Sequence, residues 1–453
     1  MSTKLDKMAT WPVGKLLFSM GIPAVFSMLI QAMYNVVDSV YISNYSQDAL
    51  FAIGLASPMQ MISLSLALGG AVGVGTLLSR RLGEKNHEEA NAIATTGIII
   101  TIIHIIVIIL LAVVGIRPFL SLFTPRAEII ELGYDYLIIV MGVCFGQFFA
   151  ILFERILQAQ GKMMFPMFSQ LIGAVVNIVL DPIFIFGNGF IPEMGMMGAA
   201  IATVLGQIAG MIFIACALFF GKHEVKISFH NFKMKAERLR DIYAVGIPTA
   251  VINMISSFTT TLMNGVLVSF SENAVTSLSI YFRLQSFVFM PIYGFNQGAL
   301  PILSYTYGAR NAERYLKTTK LYILTAVICM TIGTAIFIFK PAFLLSFFEM
   351  DQALFDVAVT TLQIIAISFV PAALSIVIST VFQSFGNGTT AMVQSILRQL
   401  VVLVPLAYLL AQFGILDLVW YAYPIAEIFV AICFVPLAIK AYKKSFNLQS
   451  DIQ

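Results

Sequence analysis

The chain has 453 residues, 59% of them hydrophobic and only 11% charged, about half the charged share of a soluble domain. That balance excludes a water-soluble globular fold and makes the bilayer the solvent. A net charge of +3 says little by itself, and no nucleic-acid partner is expected.

Taken in order, apolar runs near residues 16–42, 49–78, 93–115, 132–157, 167–186 and 195–220 are each long enough to cross a bilayer, at roughly 20 residues per span. The polar start leads into a first run too long for a signal-peptide core, so that run reads as a retained helix. Six more follow near residues 242–270, 275–305, 321–339, 355–382, 391–411 and 416–439. The fold class is an all-α integral membrane protein of about twelve transmembrane helices in two six-helix lobes. Basic residues test this topology. Lys4, Lys7, Lys15, Arg80, Arg81, Lys85, Arg155, Lys162, Arg310, Arg314, Lys317, Lys320, Lys440, Lys443 and Lys444 fall on one side, and Arg117, Arg126 and Lys340 on the other. By the positive-inside rule both termini are cytoplasmic, in a multi-pass cell-membrane protein.

The two halves repeat without a gap at an offset of 225 residues: Gly21-Ile22-Pro23 returns as Gly246-Ile247-Pro248, Gln60 as Gln285, Gly73 as Gly298, and Ser79, Gly83 and Asn86 as Ser304, Gly308 and Asn311. An even number of spans per copy makes these parallel repeats, a transporter architecture. The expected organisation is an N-terminal lobe over 1–221, a basic cytoplasmic linker over 222–240 and a C-terminal lobe with its tail over 241–453. The linker carries Lys222, Lys226, Lys233, Lys235, Arg238 and Arg240 with His223 and His230. It reads as a solvated connector that also meets anionic headgroups. Pro23 and Pro248 predict a shared bend in the first and seventh helices. Cys144, Cys216, Cys329 and Cys433 read as small apolar residues within spans.

Charges in hydrocarbon are costly, which makes the few intramembrane acids functional candidates. They are Asp38, Asp181 and Glu427, with Glu154 near a cytoplasmic end, where it reads as a rim charge. Asn177 and Asp181 lie one helical turn apart on one face. Two carboxylates and an amide oxygen can bind a hard cation such as sodium or hold an exchangeable proton. At the repeat offset Asp38 meets Met263 and Asp181 meets Leu406, so the acidic pair belongs to the first half alone. Glu427 is expected to pair with Arg398 or Arg283, and His104 to be a packed or hydrogen-bonded histidine. Polarisable Met28, Met33, Met61, Met254, Met263 and Met290 are substrate-cleft candidates, together with Gln31, Tyr34, Arg283 and Glu154.

The strings Val37-Asp38, 79–86, 157–162, 177–182, 198–203, 294–298 and 307–311, with the two Gly-Ile-Pro openings, resemble the multidrug and toxic compound extrusion (MATE) family, in its bacterial MepA-type branch. The resemblance implies two six-helix lobes in a V and efflux of amphipathic, often cationic compounds in exchange for sodium or protons. It also implies an ion-coupling set of Asp38, Asn177, Asp181 and Thr203, which would be metal ligands if the ion is sodium. The seventh-helix stretch 252–257 lacks the acid that NorM-type relatives carry there, so the resemblance does not extend to a coupling acid in the second lobe.

The expected function is therefore a multidrug antiporter working by alternating access. Its partners are amphipathic cationic drugs or dyes, a coupling ion and the bilayer, and it is expected to act as a monomer with no cofactor beyond the gradient. The alternative is a lipid-linked oligosaccharide flippase of the same superfold, which needs a basic cleft that Arg283 and Arg398 alone supply weakly. No Walker sequence and no His-Glu-x-x-His pair occur, and no enzymatic activity is expected.

Overall fold

A computed structural model describes residues 7–229, 232–348 and 350–447. Lys4 and His230, counted among the basic and linker residues, lie outside these. The described residues form helices and loops, with no strand among them.

The first half contains α1 (Val13–Tyr45), α2 (Gln47–Gly83), α3 (His87–Ser121), α4 in two segments (Ala127–Gly142 and Phe145–Ala159), α5 (Met164–Ile185) and α6 (Gly195–Phe220). The second contains α7 (Ala236–Leu267), α8 (Glu272–Gly308), α9 (Ala312–Phe339), α10 (Gln352–Ala366 and Phe369–Ser384), α11 (Gly388–Ala411) and α12 (Ala422–Ser445). The expected linker is thus shortened, since helix begins again at Ala236. Among the described residues nine helices are long and apolar enough to span a bilayer, or eleven if each bent pair is one span. The remaining helix is α8, long enough but carrying Arg283, Gln285, Asn296 and Gln297 along its length.

The repeat is kept element by element. Helices α2 and α8 are the same 37 residues displaced by 225. Their starts are fixed alike, because Ser46 accepts from the Ala49 N–H and Ser271 from the Ala274 N–H, leaving fewer orphan donors at the helix end. Asn86 and Asn311 do the same for α3 and α9, accepting from Glu89 and Arg314. The preceding residues, Lys85 and Arg310, both take a left-handed backbone, φ 57° and 53°. Each copy also breaks its fourth span, by 46° in α4 and 48° in α10.

The chain divides by contacts into two compact units, one built on Phe26–Ala250 and the other on Val251–Gln453 with Trp11–Val25. The boundaries fall just after Pro23 and Pro248, through which α1 and α7 run as continuous helix. Within the first unit the start of α7 lies against α2 at backbone contact. A Cβ on Gly69 would stand 2.6 Å from the Gly246 carbonyl oxygen, and one on Gly246 2.8 Å from the Gly69 oxygen. The second unit repeats the device, with Gly294 and Gly298 of α8 against Val25, Gly21 and Met20 of α1. Such small-residue seams hold helices together where lipid gives no hydrophobic drive between them.

One departure from the repeat is local. Leu397–Leu403 of α11 winds as a wider π-helical stretch, whereas α5 is α-helical over the equivalent residues. Insertions of this kind concentrate at functional or strained positions.

Candidate functional site

Within the first unit a cavity of about 410 Å³ is lined from α1, α2, α4, α5 and α6. Asp38, Asn177 and Thr203 lie at one end, and Glu154, Ser169 and Gly210 at the other. From Asn177 to Ser169 the cavity follows α5 for about 12 Å, at 1.5 Å per residue.

The expected ion-coupling residues come together here. Asn177 and Asp181 face the same way on α5, and the Asn177 Nδ2 donates to Asp181 Oδ1 at 3.2 Å and to Thr203 Oγ1 at 3.5 Å. The Asp38 and Asp181 carboxyls approach each other. Asp181 is fully buried behind the cavity wall and Asn177 is 1% exposed. The Tyr34 and Tyr136 hydroxyls approach Thr203.

What distinguishes this cluster is its unspent acceptors. Asp38 Oδ1, Asn177 Oδ1 and Asp181 Oδ2 are buried without a hydrogen-bond partner, and so is Oε1 of Gln207, which lines the same cavity. Buried polar atoms are normally paired, and each exception needs a reason. Oxygens that converge without donors suit a hard cation or a proton, either of which relieves the repulsion between two carboxylates. Among the described residues no three His, Cys, Asp or Glu side chains converge, so the oxygen set is two acids completed by neutral groups.

Glu154 corrects the sequence reading. It is no solvated rim charge: it is 8% exposed, lines the cavity and accepts from Gln170 Nε2 at 3.0 Å. It lies on the Phe145–Ala159 segment of α4, beyond the 46° bend, on the side that meets Gln170 of α5. Arg155 next to it bonds Gln158 instead.

Of the cleft candidates, Gln31, Tyr34, Met61 and Glu154 line this cavity. Met28 and Met33 of the first unit do not. Met254, Met263, Arg283 and Met290 belong to the other unit, where Met263 is wholly buried and Met254 and Arg283 are exposed. Gln60, Gln147, Gln170, Gln207 and Tyr136 also line the cavity and were missed. Each is an uncharged polar group in an apolar run, a weaker signal than an acid but a readable one.

In the second unit Glu427 pairs with Arg398 at 2.9 Å, not with Arg283, and also accepts from Ser375 Oγ at 2.9 Å. By the 225 offset Arg398, Ser375 and Glu427 correspond to Gly173, Ala150 and Ala202, and the first two of these line the cavity of the first unit. An ion pair thus stands in one copy where the other has open space. His104 is hydrogen-bonded to the Tyr243 hydroxyl at 3.0 Å, and the four cysteines are free thiols.

Comparison with known proteins gives a consistent picture. A family model described as MatE matches residues 23–183 and 248–409, one match in each copy of the repeat. The multidrug export protein MepA of Staphylococcus aureus (strain MRSA252) is 27% identical over 416 residues, 90% of each chain. A multidrug resistance MATE family transporter of the MOP superfamily, solved in an outward-facing conformation, superposes with a TM-score of 0.90 at 26% identity, covering 98% of this chain and 99% of that one. A MOP superfamily transporter from Pyrococcus furiosus Vc1 (DSM3638), described as having a binding pocket of reversed polarity, gives a TM-score of 0.91 at 27% identity with the same coverage.

Proposed function

Because the chain belongs to the MATE family, we propose that it is a multidrug efflux antiporter, exporting amphipathic, often cationic compounds in exchange for protons or sodium by alternating access. The observation that carries this reading is the set of buried, partnerless oxygens of Asp38, Asn177 and Asp181 at the end of a cavity of drug-accommodating size. In this reading the ion loads at Asp38, Asn177, Asp181 and Thr203. The buried Glu154 carboxylate at the other end, with polarisable Met61 on the cavity wall, receives the cationic, apolar body of the drug.

Exchange follows from the shared space. Ion and drug occupy opposite ends of one cavity about 12 Å long, so loading one end changes the field and the side-chain packing felt at the other. Coupling requires that the two ligands favour different conformations, since equal affinity for both would shift nothing. The bodies that move are the two compact units, Phe26–Ala250 and Val251–Gln453 with Trp11–Val25, in a cell membrane with both termini cytoplasmic. A flippase for lipid-linked oligosaccharides is disfavoured because Arg398 is already neutralised by Glu427, leaving Arg283 alone for a pyrophosphate.

The test is transport in proteoliposomes. An imposed proton or sodium gradient is expected to drive ethidium movement against its own gradient. Ethidium flux indifferent to both gradients would overturn the antiport reading.

A further inference from the structure

The chain between α6 and α7 is tied to the first unit residue by residue. The Gln160 side-chain oxygen accepts from the Glu224 and Val225 N–H groups at 3.1 and 3.4 Å, and Asn91 Oδ1 accepts from the Lys226 N–H at 2.7 Å. Thr95 Oγ1 bonds both the carbonyl and the N–H of Ser228. Arg238 closes the far end with a two-pronged ion pair to Glu89, at 2.6 and 2.9 Å. Val225 is thereby buried, while Lys222, Lys226, Lys233 and Lys235 point outward.

The segment and the end of α6 expose large apolar groups. Phe220 is 88% exposed, Phe229 59% and Met234 42%, and Phe229 lies edge-on to Phe232. Both neighbours of the segment in sequence are membrane helices, so it lies at the level where a span leaves the hydrocarbon. Aromatic rings prefer that level, and lysines above it are drawn to anionic headgroups. Residues 222–235 carry four lysines and one carboxylate, Glu224, and the Glu89 carboxylate lies within reach of the Lys235 charge.

We propose that this pinned segment is a binding site for anionic phospholipid, with Phe220, Phe229 and Met234 entering the acyl boundary and Lys222, Lys226, Lys233 and Lys235 holding the phosphate-bearing headgroups. A free connector would spend ordering entropy on each lipid it met. Here the side chains of Gln160, Asn91 and Thr95 have fixed the backbone beforehand. The site is independent of which ion or drug the cavity takes.

The test uses the full chain in nanodiscs of phosphatidylcholine with one-fifth phosphatidylglycerol, with Phe229→Trp as reporter and the parent chain's emission subtracted. Bromine is placed either on the phosphatidylglycerol or on an equal amount of the phosphatidylcholine. Brominated phosphatidylglycerol is expected to quench at least about threefold more than brominated phosphatidylcholine. Lys→Gln at all four lysines abolishes that preference, and Lys→Arg at all four restores it. Equal quenching by the two lipids, or none by either, overturns the proposal, as does a preference that survives the four glutamines.

Discussion

Replacing Asp181 by asparagine is expected to stabilise the resting protein even though it disables coupling. In the structure Asp38 Oδ1, Asn177 Oδ1 and Asp181 Oδ2 are buried without partners, and each such atom costs about 1–3 kcal/mol. Asp181→Asn removes a negative charge beside Asp38 and supplies an NH₂ group that can donate to Asp38 or Asn177. One orphan disappears and another is satisfied, a gain of about 2–6 kcal/mol. Asp181→Leu gains less, because it also removes the acceptor of the 3.2 Å bond from Asn177 Nδ2. The assay is thermal unfolding in detergent in sodium-free buffer at about pH 8, repeated with added sodium and with acid. The wild-type midpoint rises with the coupling ion, and the asparagine variant starts higher and no longer responds. A variant that unfolds below the wild type while keeping the ion response would refute the assignment of these oxygens to the ion.

Other consequences follow from packing and charge. Gly69→Ala places a methyl against the Gly246 backbone and costs about 2–3 kcal/mol, whereas Gly54→Ala, with nothing within 4 Å of the new Cβ, is neutral or stabilising by about 0.5 kcal/mol; unfolding midpoints compare the two. Arg398→Met strands Glu427 and costs about 3 kcal/mol, while Arg398→Met with Glu427→Leu returns to within about 1 kcal/mol of wild type, a difference read by a double-mutant cycle. His223, between α6 and α7, takes a hydrogen bond from the Lys162 ammonium at 2.6 Å and donates to the Ala217 carbonyl. Burial chiefly, and the Lys162 charge to a lesser degree, hold this imidazole below its ordinary range. The unfolded chain therefore binds that proton more tightly, and stability present above the ordinary histidine range is lost as pH falls through it. His223→Gln removes this loss, so its midpoint relative to wild type rises between about pH 8 and pH 5.

Much of the architecture was legible because two copies of one pattern confirm each other. The Ser46 and Ser271 caps, the Asn86 and Asn311 caps and the glycine seams at Gly69 and Gly294 all recur at 225. Asp38 and Asp181 were legible because a carboxylate in an apolar run is expensive enough to demand a purpose. Gln60, Gln147, Gln170 and Gln207 give a fainter signal, since a neutral amide in a span costs less than a carboxylate and each occurs singly. Glu154 reads as a rim charge in the sequence because span length locates a residue in depth but not around the helix axis, and its side chain faces Gln170 of α5. The π-helical stretch of α11 leaves no mark in the apolar pattern, because Arg398 and Gln399 are a short polar interruption either way.

The central claim is that the acidic pair of the first unit couples ion to drug, and it is tested most directly by ethidium efflux from vesicles bearing wild type, Asp38→Asn or Asp181→Asn under the same imposed gradient. The account predicts gradient-driven efflux for the wild type, and for both variants a flux that no longer responds to the gradient although the proteins remain folded. Either variant exporting ethidium at the wild-type, gradient-dependent rate would contradict it.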